Sequence, residues 1–137
     1  MWMFDEITCE YPLPGTPPEF VKESGFLFQT KDLDCTLGHY IITKTGELID
    51  SDPAFDNLGV EIEPNIIKDY FGCIEFYTSN IHGGGPTKEG YKQFTKNGED
   101  AESVRYKAIF SYGKLVEIIE GKRTKVPALP IKDMKIT

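Results

Sequence analysis

Apolar and polar side chains alternate with a period of two along much of this chain, and turns rich in glycine and proline keep interrupting them. No other feature limits the possible fold so strongly. Residues 104–111 show it best: Val104, Tyr106, Ala108 and Phe110 fall on one side of an extended chain, Arg105, Lys107 and Ser111 on the other. Successive side chains of a strand point to opposite faces, so a run of this kind buries one face and wets the other. Tyr112-Gly113-Lys114 reverses the chain and Leu115–Ile119 returns it, which predicts a hairpin.

The stretch Phe26–Ile49 predicts the central element: a strand, a polar turn and a second hairpin. Ile41 and Thr43 share one face of its strand, Tyr40 and Ile42 the other, and Lys44-Thr45-Gly46-Glu47 makes the turn, with Gly46 free to take a positive φ. Ile74 and Phe76 alternate with Glu75 and Tyr77 in a further strand, Phe71–Ser79. Met1–Tyr11 reads as a first strand or an extended arm, Gly59–Glu63 as a short strand, Gly90–Thr95 as a short strand or turn, and Ile131–Ile136 as an edge strand. Prolines 12, 14, 17 and 18 make a rigid surface connection, and Glu19–Ser24 is long enough for one helical turn.

With no helix of ten residues in the pattern, the expected fold is mainly β, with at most one short helix. Antiparallel hairpins would form a curled sheet or a two-layer sandwich. A chain of 137 residues fits one domain spanning 1–137, and nine Phe with seven Tyr are ample for one core.

Charge narrows the partners. The net charge is −7, which argues against a dedicated binder of nucleic-acid backbone. Residues 1–69 carry 14 acids and 4 bases, a net −10, whereas residues 70–137 carry 8 acids and 11 bases, a net +3. Such a split either makes a dipolar surface that steers a charged partner or averages out if the two halves interleave. Three widely spaced cysteines, Cys9, Cys35 and Cys73, match neither a disulfide framework nor a zinc ribbon and read as reduced, mostly buried thiols. No signal-like segment follows Met1 and no apolar run approaches ~18 residues, so a cytoplasmic protein without a membrane partner is expected.

Catalytic signatures are missing. Cys35 and His39 are near each other only in sequence, and Asp32 and Asp34 fit a turn-fixing role better than a carboxylate pair. Asp50, Asp52 and Asp56 faintly suggest a calcium loop, but an EF-hand needs Gly at its sixth position and Glu at its twelfth, and Phe55 stands at the sixth. No metal or cofactor is therefore expected. Gly83-Gly84-Gly85 lacks the Lys and Ser/Thr spacing of a phosphate-binding loop and reads as a flexible loop.

The pattern Met-x-Met-Phe-Asp at 1–5, Cys9-Glu10-Tyr11-Pro12-Leu13-Pro14, Phe28-Gln29-Thr30-Lys31-Asp32-Leu33 and Tyr-x-Ile-Thr-x-x-Gly-x-Leu at 40–48 resembles a group of small uncharacterised phage and prophage proteins. Phe-Gly-x-Ile-x-Phe-Tyr at 71–77 and Phe-x-x-Gly-Lys-Leu at 110–115 extend the likeness over most of the chain. That resemblance implies a setting and assigns no catalytic residue.

The function expected is that of a non-enzymatic accessory protein binding a host or phage protein through an acidic surface. Asp50, Asp52, Asp56, Glu61 and Glu63 would supply the charge, Tyr40 and Tyr77 the anchors. The alternatives are a small-molecule or nucleotide site, possibly hydrolytic, built from His82, Gly83, Gly84, Gly85, Lys88 and Arg105, or a virion or assembly component.

Overall fold

The structure is a computed structural model that describes residues 3–52, 54–55, 57–62 and 65–134. Its main sheet is built from β1 (Asp5–Cys9), β2 (Leu27–Thr30), β3 (His39–Ile42), β4 (Leu48–Asp50), β7 (Asn65–Ile66), β8 (Gly72–Ser79), β11 (Ala101–Ser111), β12 (Lys114–Glu120) and β13 (Thr124–Val126). The order across it is β12-β11-β8-β2-β1-β3-β4-β7, with β13 continuing the edge of β11 beyond β12. A three-stranded sheet, β14-β10-β9, joins β9 (Gly83–Thr87), β10 (Gly90–Thr95) and β14 (Ala128–Pro130). A small ribbon pairs β5 (Ala54–Phe55) with β6 (Glu61–Ile62). The helical pieces are α1 (Glu19–Glu23), whose Val21 is buried, and a 3₁₀ turn at Ile131–Asp133.

Alternation places the core where the pattern predicts it. Val104, Tyr106, Ala108 and Phe110 are buried with Ile74, Phe76, Phe28, Ile7, Ile42 and Leu48. Phe28 meets Phe76 edge-on at 4.9 Å, and Tyr106 stacks on Phe76 at 5.7 Å. The central hairpin turns at Gly46, whose φ is +83°, as a tight reversal demands. The sheet curls until its ends approach without closing. Glu47 bridges to Lys114, and the Leu115 N–H donates to the Gly46 carbonyl at 2.7 Å.

One alternative is decided and two local expectations are corrected. Of the two readings of the first segment the strand holds: β1 lies inside the sheet, antiparallel to β2 and parallel to β3, with Ile7 and Cys9 buried. The run Gly83–Gly85 is the strand β9, because β10 supplies a partner for its backbone. The edge strand of the tail is Ala128–Pro130, parallel to β10, and Ile131–Asp133 turns instead. Ile136 lies outside the described residues.

One loop makes the parallel pair possible. β1 sits between β2 and β3, so the connection Lys31–Gly38 must cross the start of β1. Asp5 is fully buried there, and its carboxylate accepts the N–H groups of Cys35 at 2.7 Å, Thr36 at 3.1 Å and Gly38 at 2.8 Å. Cys35 and Leu37 hold φ values of +55° and +62°. That geometry costs about 1–2 kcal/mol per residue, against about 1.5–3 kcal/mol for each bond to a charged acceptor. The carboxylate therefore holds the crossing closed. Asp5→Ala, which leaves three donors without their acceptor, is expected to lower stability by about 3 kcal/mol or more in urea unfolding. A loss under about 1 kcal/mol would show that the loop holds itself.

Candidate functional site

Strand order sorts the charge. β2, β1, β3, β4 and β7 all come from the first 66 residues, whereas β8, β11, β12 and β13 come from residues 72–126. Inside the sheet the two flanks pair along β2 and β8, through two residue pairs, Gln29 with Tyr77 and Thr30 with Phe76. Side chains strengthen that short seam. Thr30 Oγ1 donates to the Glu75 carbonyl at 2.8 Å, and the Glu75 N–H donates to Asp32 Oδ2 at 2.7 Å. The main-sheet strands of the acidic half thus form one contiguous flank, while α1 with Glu19 and Glu23 lies over the other, beside β8 and Lys125.

On the outer face of the acidic flank, register aligns Leu27, Thr8, Ile41, Ile49 and Ile66 in one row across five strands. The first four are half-buried and Ile66 is exposed. The row ends at β7, and the neighbouring segment 57–62 carries exposed Leu58, Val60 and Ile62 together with exposed Glu61. The adjacent row holds Arg105, Tyr77, Gln29, Glu6 and His39. This flank therefore offers a mostly apolar row broken by Thr8, with the exposed carboxylate of Glu6 in the row beside it and that of Glu61 in the segment that precedes β7.

A clamp fixes its middle. Ser51 Oγ donates to the His39 carbonyl at 2.8 Å, so its proton is committed. The 3.0 Å contact between Ser51 Oγ and His39 Nδ1 then assigns the ring proton to Nδ1, and Nε2 accepts from Thr8 Oγ1 at 2.8 Å. The imidazole ties β1 and β3 to the end of β4. Sequence patterning carries no signal for this clamp, because Thr8 and His39 meet only through the parallel pairing.

Asp52 is exposed and accepts the His39 N–H at 3.3 Å, while half-buried Asp50 accepts the Asp52 N–H at 3.1 Å. Tyr40 is not an exposed anchor. It is buried, and its hydroxyl donates to Asp34 Oδ2 at 3.0 Å. Burial first, then the bond to Asp34 and the charges of Asp34, Asp5 and Asp50, push its ionisation well above the ordinary phenol range. Tyr77 is half-buried beneath the Arg105 guanidinium, which lies 5.1 Å from its ring centroid. Asp56 and Glu63 lie outside the described residues.

Of the residues considered for phosphate, Gly84, Gly85 and Lys88 line one groove. Arg105 stands apart from them on the main sheet, paired with Glu75. His82 is exposed, with its backbone N–H donated to the Phe94 carbonyl at 2.8 Å. Cys35 and His39 are not paired, since Cys35 Sγ donates to the Lys31 carbonyl at 3.2 Å. Asp32 and Asp34 serve separate partners, Glu75 and Tyr40. Only Cys9 of the three free thiols is buried; Cys35 is half-buried and Cys73 exposed, because its register position opposite Ile109 faces outward. Among the described residues no group of three or more His, Cys, Asp or Glu could hold a metal ion, and no helix is long and apolar enough to cross a membrane.

No protein-family model, curated protein or solved structure matches the chain. Geometry and charge therefore carry the functional reading.

Alkaline titration checks the buried acids. Burial raises the Cys9 thiol to about 12 from an ordinary 9.0, and Tyr40 moves in the same direction. Above pH 9 the unfolded chain releases protons that the folded chain retains, so stability is complete below that pH and falls as pH rises. Cys9→Ala is expected to flatten the fall between about pH 9 and 12. Tyr40→Phe is expected to flatten it above about pH 10 and to cost about 1 kcal/mol at neutral pH. Unfolding curves at stepped pH measure both, and unchanged slopes would contradict the assignment.

Proposed function

We propose that this protein is an accessory binding protein that engages a host or phage protein through the acidic flank of its main sheet, in the setting its sequence pattern resembles. The observation behind this reading is the segregation of charge by strand order, which sets a mostly apolar row beside exposed carboxylates. Leu27, Ile41, Ile49 and Ile66 supply apolar area from a rigid face, while Glu6, Asp52 and Glu61 face solvent around it. Aligned apolar side chains on an open sheet face provide burial for a partner, and the charged rim selects a basic one and speeds encounter. On the opposite flank the acids and bases of β8, β11, β12 and β13 balance, so the acidic side orients the approach.

Capture from bacterial lysate at low and high salt provides the partner, and two variants then test the face. Glu61→Lys and Ile66→Lys change exposed positions and leave the core intact. Together they are expected to weaken the captured partner's affinity by about tenfold or more, equivalent to ~1.4 kcal/mol. Lys107→Glu on the other flank is expected to leave it unchanged. Binding that is indifferent to salt and to both lysine substitutions would remove the acidic flank from consideration.

A further inference from the structure

The three-stranded sheet carries a groove that is separate from the acidic flank and independent of the reading above. It has a volume of about 800 Å³ and runs along β9 between the β9–β10 turn and the 3₁₀ turn. Small-molecule sites commonly span ~300–1,000 Å³. Phe94, Leu129 and Met134 provide its apolar lining.

Glycine inside a strand gives up side-chain packing and adds conformational freedom to the unfolded chain, so each one needs a reason. Gly84 has one: a Cβ there would lie 2.8 Å from Gln93 Oε1 and 3.0 Å from the Tyr91 hydroxyl. Gly83 has one as well, since its Cβ would lie 3.0 Å from Met134 Cε. Gly85 has neither strain nor crowding. Its φ is outside the left-handed region, and a Cβ would meet nothing within 4 Å. The fold tolerates a side chain at 85, yet the position lines the groove and is bare. A strand left open in this way lets a ligand approach the backbone closely.

The polar groups define that ligand. A flat aromatic ring has room against the bare backbone at Gly85, on a groove that Phe94 also lines. Glu89, beside Lys88 in the β9–β10 turn, places a carboxylate on the groove that accepts hydrogen bonds from sugar hydroxyls, and Asp133 stands at the other end. Lys88, in the turn between β9 and β10, offers a point charge for a phosphate. A flat base, hydroxyls and a phosphate occur together in a nucleoside monophosphate. We propose that the groove along β9 is a binding site for a nucleoside monophosphate, with the base over Gly85, the ribose toward Glu89 and the phosphate on Lys88.

Titration of the intact protein with each of the four ribonucleoside monophosphates, their nucleosides and inorganic phosphate, followed by amide NMR, tests this. Saturable shifts centred on Gly84, Gly85 and Phe94 are expected for at least one nucleotide, with its nucleoside about tenfold weaker for want of one charged contact. Gly85→Val is expected to keep the fold, with an unchanged or higher Tm, and to weaken nucleotide binding at least tenfold. Lys88→Ala is expected to bring the nucleotide down to the affinity of the nucleoside and to leave the nucleoside unaffected. Should Gly85→Val fail to fold, Gly85→Ala and Lys88→Ala carry the test. Absence of saturable shifts with every nucleotide, binding indifferent to a folded position-85 variant, or inorganic phosphate binding as tightly as the nucleotides would each overturn the proposal.

Discussion

Everything distinctive in this fold depends on one buried carboxylate. β1 pairs with β2 on one side and β3 on the other, and the loop that links those neighbours has to pass over its end. Backbone N–H groups in such a crossing face inward and lose water, and two residues adopt left-handed geometry to make it. Asp5 answers both demands, because it belongs to the strand being crossed and its two oxygens accept three of those donors. A neutral residue of similar size would satisfy the donors less well, and a charged one without them would be expensive to bury.

The crossing also explains the sorting of charge. Once β1 holds β2 and β3 at its two edges, the hairpin to β4 and the return to β7 can only extend the sheet away from β8. The first half of the chain then occupies one flank and β8, β11, β12 and β13 the other. The strands of the first flank carry Asp5, Glu6 and Asp50 and no Lys or Arg, whereas on the other Glu75, Glu102, Glu117 and Glu120 offset Arg105, Lys107, Lys114 and Lys125. Curling brings the far edges toward each other at Glu47 and Lys114, so the two flanks share one core around Phe28, Phe76 and Tyr106 while their outer faces differ.

Where a residue's role follows from alternation it was readable in the sequence. The buried faces of β8 and β11, the turn at Gly46 and the short helix near Val21 follow from local spacing and from single residues with narrow conformational preferences. Tyr40 shows the limit: alternation set it on the face with Ile42, but only the packed sheet makes that face the buried one and puts Asp34 against its hydroxyl. Gly83–Gly85 shows another. Three glycines have no preference of their own, and a partner strand decided their conformation. The Thr8–His39–Ser51 clamp and the grouping of Gly85 with Phe94 and Met134 join residues far apart in the chain, and no local pattern encodes such meetings.

By itself, then, the order of amino acids determined that the chain would be mainly strands, which side of β8 and β11 would be buried, and how much charge each half would carry. Those properties belong to short segments and to sums, and both survive without knowledge of contacts. Tertiary structure alone decided that β1 would lie inside the sheet, that the strands of the two halves would form separate flanks and that a bare strand would border a groove. Each of these rests on pairing between distant segments, whose free energy is set by burial and hydrogen bonds that exist only once those strands have paired.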